Sequence, residues 1–254
     1  MKLTLLQTDI QWGQPSVNRL RAETMLTEAE KSDVYLFPEM FTTGFAPRPE
    51  GLAEEDGATL SWMRDMARRY DAAIGGSVAV KVGGVYLNRF YFIMPDGSDV
   101  HYDKRHLFTY GGEHLRYERG EDRVEVEFRG VRFLLQVCYD LRFPVFSRNN
   151  GDVLYDVALY VASWPTSRMN VWETLLRARA IENQCYVAGV NRIGADKACS
   201  YSGDTMLVDA YGRTVAECPV DEESAITCFL DIEAQSAFRE KFPVLADADR
   251  SQRW

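Results

Sequence analysis

Apolar residues run almost unbroken from Val131 to Val137 (VRFLLQV), then stop at Cys138-Tyr139-Asp140-Leu141-Arg142-Phe143-Pro144. So uniform a run predicts a buried strand, not a half-exposed one. Asp140 and Phe143-Pro144 are turn and helix-start residues, so a helix is expected through residues 146–149. Shorter runs over 3–7, 33–37, 157–162 and 185–193 predict further strands. Helical spacing marks 15–31, with Leu20, Met25, Leu26 and Ala29 on one side. It marks 57–70 through Leu60, Met63, Met66 and Ala67, and a third helix is expected over 169–183. Between 73 and 102 the period changes: strands are expected at 73–80, 85–94 and 99–102, with Gly83-Gly84 and Pro95-Asp96-Gly97 as hairpin turns. Arg129-Gly130 joins strands 124–128 and 131–137, and strands at 205–209, 214–217 and 225–231 close the set, with Tyr211-Gly212 as a turn. Residues 104–122 lack a period and read as a long loop, a kind of segment that is usually functional. Residues 232–254 read as a polar tail carrying Arg239, Lys241, Asp247, Asp249, Arg250 and Arg253.

About four helices among about a dozen strands, joined by both hairpins and strand–helix–strand units, predict mixed sheets. Two sheets stacked face to face, each covered outside by helices, accommodate that many strands better than one. The whole chain, 1–254, reads as a single domain. Composition narrows the partners. With 29 Lys and Arg against 38 Asp and Glu, the net charge of −9 argues against nucleic acid or an anionic membrane. The five cysteines are odd in number and form no CxxC pair, which disfavours zinc and a disulfide framework and predicts a reducing, cytoplasmic setting. Residues 1–9 turn polar too early for a signal peptide, and no run approaches the ~18 apolar residues of a membrane span.

Candidate chemistry sits at strand ends. Cys138 ends its strand and is lifted above the sheet edge, where backbone N–H groups and a helix N-terminus favour a thiolate and a neighbouring oxyanion. The plainer reading is a buried core cysteine. Glu39 follows strand 33–37 and Pro38, crowded by Met40, Phe41 and Phe45. A carboxylate among apolar groups should titrate high and suit a general base; an ordinary loop glutamate is the alternative. Lys104 follows strand 99–102 and is either a fixed cation for an oxyanion or a solvated lysine. Glu113 lies on the loop beyond it, in Gly111-Gly112-Glu113-His114. Sites of α/β sheets form outside the carboxyl ends of strands, which favours reading these residues together.

Three segments carry a resemblance. They are Phe37-Pro38-Glu39-Met40-Phe41-Thr42-Thr43-Gly44-Phe45, Asp103-Lys104-Arg105-His106-Leu107-Phe108 and Val137-Cys138-Tyr139-Asp140-Leu141-Arg142-Phe143-Pro144. In this order the chain resembles the nitrilase superfamily of carbon–nitrogen hydrolases. The second glutamate of that family matches Glu113 rather than Glu118. The resemblance implies a four-layer αββα sandwich and a thiol mechanism. Cys138 attacks an amide or nitrile carbon, Glu39 moves the proton, and Lys104 with the backbone N–H of Tyr139 holds the oxyanion. Glu113 orients Lys104 or the substrate amide, and no metal or organic cofactor is needed.

Segments 111–114, 142–149, 162–168, 178–184 and 238–243 look most like the omega-amidase branch, which hydrolyses 2-oxoglutaramate and similar dicarboxylate monoamides. Other amidases of the superfamily, an N-carbamoyl amino acid amidohydrolase or a nitrilase, are the alternative. A substrate carboxylate calls for a cation, and Arg142 and Arg168 are the candidates. Arg142 has a rival role, pairing with an acid to brace the turn. Trp164 is a candidate pocket wall. By resemblance, the helix opened by Trp172 and Glu173 and the tail from 232 imply a homodimer. Two rival classes remain in view: a cysteine–histidine hydrolase using His106 or His114, and a non-catalytic binding protein on the same fold. Cys185 and Cys228 read as core; Cys199 and Cys218 read as loop residues without a role.

Overall fold

Strands that are apolar on both faces must be covered on both, and the chain meets this with two sheets back to back. The computed structural model describes residues 1–150 and 153–248. In chain order its elements are β1 (Lys2–Gln7), α1 (Pro15–Glu28), β2 (Val34–Leu36), α2 (Ala58–Tyr70), β3 (Ala73–Val82), β4 (Val85–Ile93), β5 (Asp99–Asp103), β6 (Glu125–Phe128), β7 (Val131–Val137) and β8 (Val157–Ala162). There follow α3 (Met169–Asn183), β9 (Tyr186–Asn191), β10 (Ile193–Ala195), β11 (Ser200–Ser202), β12 (Met206–Val208), β13 (Thr214–Glu217), β14 (Ser224–Phe229) and α4 (Ile232–Lys241).

The first sheet runs β14-β1-β2-β3-β4-β5 and the second β13-β12-β9-β8-β7-β6. Each has a parallel trio at its centre, β1 to β3 in one and β7 to β9 in the other, with antiparallel strands outside. Between the sheets, Leu5, Leu36 and Phe92 meet Phe133, Leu135 and Val161 in one apolar layer. Burying a side chain of this size is worth about 1.5–3 kcal/mol, so this layer is the main cohesive term. On the outer face of the first sheet, Met25 and Leu26 of α1 and Met63 of α2 pack on Tyr35, Ile74 and Tyr91. On the second, Trp172, Leu176 and Ala180 of α3 cover Leu134, Ala158 and Val187. The layers are α, β, β, α, as expected. No described helix is long and apolar enough to cross a membrane.

Three expectations change. The helix expected over 146–149 is absent; instead a 3-10 turn, Cys138–Arg142, closes directly on the end of β7. Side chains compete with helix formation here. Asp140 accepts from the N–H of Val137 at 2.8 Å, and Asn149 donates to the carbonyls of Tyr155 and Asn183. The strand expected over 185–193 breaks after Asn191, and β10 and β11 form a separate hairpin. Gly194 has φ +89°, and a side chain there would collide with Asp9. The tail holds a helix, α4, capped by Asp231, whose carboxylate accepts from the N–H of Ala234. Its only buried residue is Gln235, so it shows no apolar stripe. Arg239 anchors it to Asp156 at 3.1 Å and to the carbonyls of Tyr155 and Gln184. Asp249, Arg250 and Arg253 lie outside the described residues.

Candidate active site

The ends of β2, β5 and β7 face one cavity of about 660 Å³. Glu39 is carried past the end of β2 by a turn pinned on Ser77, whose hydroxyl and carbonyl accept from the N–H groups of Met40 and Phe41. The Glu39 carboxylate is fully buried. The expected Phe45 lines the cavity with it, and polar donors hold its oxygens. One oxygen accepts from Lys104 Nζ and from Asn88 Nδ2, both at 2.8 Å, and the other from the backbone N–H of Ser163 at 2.9 Å.

Lys104 lies one residue beyond β5, its N–H bonded to the carbonyl of Asn88. Its ammonium also reaches both Glu113 oxygens, at 2.9 and 3.2 Å. Glu113 stands fully buried in a 3-10 turn, Glu113–Leu115, fixed by the N–H of Phe108 at 2.6 Å. Glu118 is exposed. Burial works against the Lys104 charge, but the carboxylates of Glu113 and Glu39 outweigh it and hold the ammonium well above the usual lysine range. Burial pushes the Glu113 carboxyl up, and Lys104 only partly offsets this.

Cys138 follows β7 with φ +46°, a left-handed conformation that costs a non-glycine residue about 1–3 kcal/mol. Burial pushes its thiol well above the usual cysteine range, and the Glu39 carboxylate beside it adds to the rise; Lys104 and the Ser163 N–H pull the other way. These influences run against the expected thiolate, which Lys104 and the Ser163 N–H favour. The turn after Cys138 is 3-10 and five residues long, without the dipole of a full helix. A thiol beside a buried carboxylate, with a lysine paired to that carboxylate, has the parts of thiol acyl transfer. The carboxylate can take the thiol proton as attack proceeds, and the ammonium can meet the resulting oxyanion.

Tyr139, Arg142, Trp164 and Arg168 line the same cavity, while Glu113 sits behind Lys104. The Arg142 guanidinium lies over the Trp164 ring at 5.1 Å and that of Arg168 over Phe108 at 5.5 Å. Neither forms an ion pair with a described carboxylate, so the bracing role for Arg142 is not observed. Histidine is missing from the described lining. His106 Nδ1 is held by Asp140 at 2.7 Å with its ring stacked on Phe143, and His114 is exposed.

Two contributions escaped the sequence reading. Asn88 donates to Glu39 and, at 3.1 Å, to Glu113, so one amide bridges both acids. Its only signal is a polar residue, next to Arg89, in a strand of mainly apolar and aromatic residues. The tip of the β10–β11 hairpin supplies Asp196, Lys197 and Cys199 to the cavity wall. Asp196 accepts from the N–H groups of Ala198 and Cys199 and from the Tyr201 hydroxyl, which shapes the tip.

Comparison with known proteins agrees with this geometry. The family model of carbon–nitrogen hydrolases matches residues 2–240. An omega-amidase from Yersinia enterocolitica is 46% identical over 251 residues, covering 98% of this chain and 97% of its own. A 2-oxoglutaramate amidase from Bacillus subtilis is 36% identical over 254 residues, covering 97% of this chain and 98% of its own. Among solved structures, a CN-hydrolase superfamily protein from Xanthomonas campestris, with an arsenic adduct in its active site, superposes with a TM-score of 0.96. It is 42% identical and covers 100% of this chain and 99% of its own.

Proposed function

The chain belongs to the carbon–nitrogen hydrolase family, and on that premise we propose that it is an omega-amidase, releasing ammonia from 2-oxoglutaramate or a similar dicarboxylate monoamide. The observation that carries the reading is the buried Lys104 ammonium gripped by Glu39 and Glu113 at the edge of a cavity that also holds Cys138.

Glu39 takes the thiol proton as Cys138 Sγ attacks the amide carbon. The oxyanion forms against Lys104 Nζ and the backbone N–H of Tyr139. Its collapse breaks the carbon–nitrogen bond, Glu39 returns the proton to nitrogen, and ammonia leaves a thioester on Cys138. Glu39 then removes a proton from water, which attacks the thioester; the thiol is regenerated and the acid departs. Glu113 and Asn88 keep Lys104 and Glu39 in place throughout.

Arg142 and Arg168 bind the distal carboxylate, since both are cations at the cavity without a described acid partner. Trp164 forms the wall under Arg142. We read residues 1–254 as one hydrolase domain working as a homodimer, with the segment from 232 in the contact; exposed Phe242 on that segment supports this. The five cysteines, all free, support a cytoplasmic setting.

Ammonia release across 2-oxoglutaramate, succinamate, glutamine, asparagine, an N-carbamoyl amino acid and an aliphatic nitrile tests the assignment. Turnover is expected to be fastest for the first two. Turnover of only the N-carbamoyl compound or the nitrile overturns the omega-amidase reading.

A further inference from the structure

The Asp140 carboxylate is fully buried and lies two residues after Cys138, yet the scheme above gives it no part. Every hydrogen bond it accepts ties down a neighbour of one of the two central groups. One oxygen accepts from the backbone N–H of Val137 and from the Tyr102 hydroxyl, each at 2.8 Å. The other accepts from the backbone N–H of His106 at 3.0 Å and stands 2.7 Å from His106 Nδ1. Val137 directly precedes Cys138. Tyr102 and His106 stand two residues before and two after Lys104. The Tyr102 hydroxyl also accepts from the N–H of Arg105, next to Lys104.

These segments come from different sheets. Lys104 leaves β5, at the edge of the first sheet, and Cys138 leaves β7 of the second. Apolar packing between sheets is non-directional and sets their separation loosely. A carboxylate with four charge-assisted bonds fixes distance and angle together. We propose that Asp140 is a positioning residue that sets the spacing between the Cys138 sulfur and the Lys104 ammonium across the sheet boundary. The inference rests on the roles assigned above to Cys138 and Lys104. It also explains how Cys138 keeps its left-handed backbone: Asp140 anchors the turn at Val137, and Arg179 of α3 holds the far end by donating to the carbonyl of Leu141 at 2.6 Å.

The experiment separates oxyanion chemistry from thiol access. Asp140→Asn keeps the size but turns one oxygen into a donor that faces donors. A misplacement on the order of 1 Å costs roughly a hundredfold in rate, so kcat for amide hydrolysis is expected to fall about that far. Methyl methanethiosulfonate modifies the sulfur without forming an oxyanion, so its rate at Cys138, read by peptide mass, should stay within about threefold of wild type. Unchanged kcat, or equal losses in both rates, overturns the proposal, the second because it marks a merely structural carboxylate. Should Asp140→Asn not fold, Tyr102→Phe decides: it removes one donor at constant volume and should lower kcat roughly three- to tenfold with modification unaffected. Cys138→Ala is the control for the underlying reading. If that variant still turns over amide, the nucleophile assignment fails; if it is dead while Asp140→Asn and Tyr102→Phe match wild type, only the positioning role fails.

Discussion

The floor of the cavity and its mouth are built on opposite terms. On the floor, Glu39, Lys104 and Glu113 are fully buried and every charge has a partner within 3.2 Å. At the mouth, Arg142 and Arg168 are half-buried, rest on aromatic rings, and have no described acid partner. Desolvated charges demand fixed, complete pairing, because one left alone costs several kcal/mol. Cations at the rim stay hydrated and can wait for an anion from solution. On the proposed function, the contrast separates a place for bond-making from a place for recognition.

The sharpest way to break this division is at the base. Glu39→Gln is expected to lower kcat by roughly 10²–10⁴-fold. Glu39→Gln removes one of the groups that raise the Cys138 thiol but also its base, so the sulfur should then react with methyl methanethiosulfonate only as thiolate, at a rate that climbs with pH. Wild type should already react at neutral pH, and identical pH profiles for the two proteins would sink the base assignment. Lys104→Met comes next. Turnover should fall about 10²–10³-fold, and stability by about 3–5 kcal/mol, because two buried carboxylates lose their counter-ion. Thermal or urea unfolding checks the second effect, and no loss of stability would mean that the floor tolerates unpaired charge.

Smaller effects belong to the mouth. Arg168→Ala and Arg142→Ala should each raise KM for a carboxylate-bearing amide roughly 10- to 100-fold, with kcat nearly unchanged and melting temperature intact. A KM that does not move in either variant removes both as the clamp. Smallest of all is salt. Raising ionic strength from about 0.01 to about 0.15 M shortens the screening length from about 30 to about 8 Å. KM should drift up several-fold while kcat holds, and a matching change in kcat would contradict the floor's isolation from solvent.

What the sequence revealed follows the same line between local and assembled information. β7, β8, α3 and β13 have the expected bounds; at β7 and α3 the pattern ends on residues with left-handed backbone, Cys138 after Val137 and Gln184 after Asn183. α4 was missed because it is held by Arg239 and a cap, with no apolar face to read. Glu39, Lys104 and Cys138 were legible as polar groups at three strand ends. Asn88 was not, because its role exists only when β4 pairs with β3 and β5 and brings the amide over both acids. Asp140 read as turn chemistry; its reach to Tyr102 and His106 needs the two sheets stacked.

The hairpin of β10 and β11 is a two-stranded sheet of its own, bridged to Asp9 at Ile193, and its tip lends the cavity Asp196, Lys197 and Cys199 but none of the floor. Part of the cavity wall is thereby carried on a hairpin that holds none of Glu39, Lys104, Glu113 and Cys138. Side-chain changes at residues 196–199 would reshape that wall while leaving the pairing of Glu39, Lys104 and Glu113 untouched.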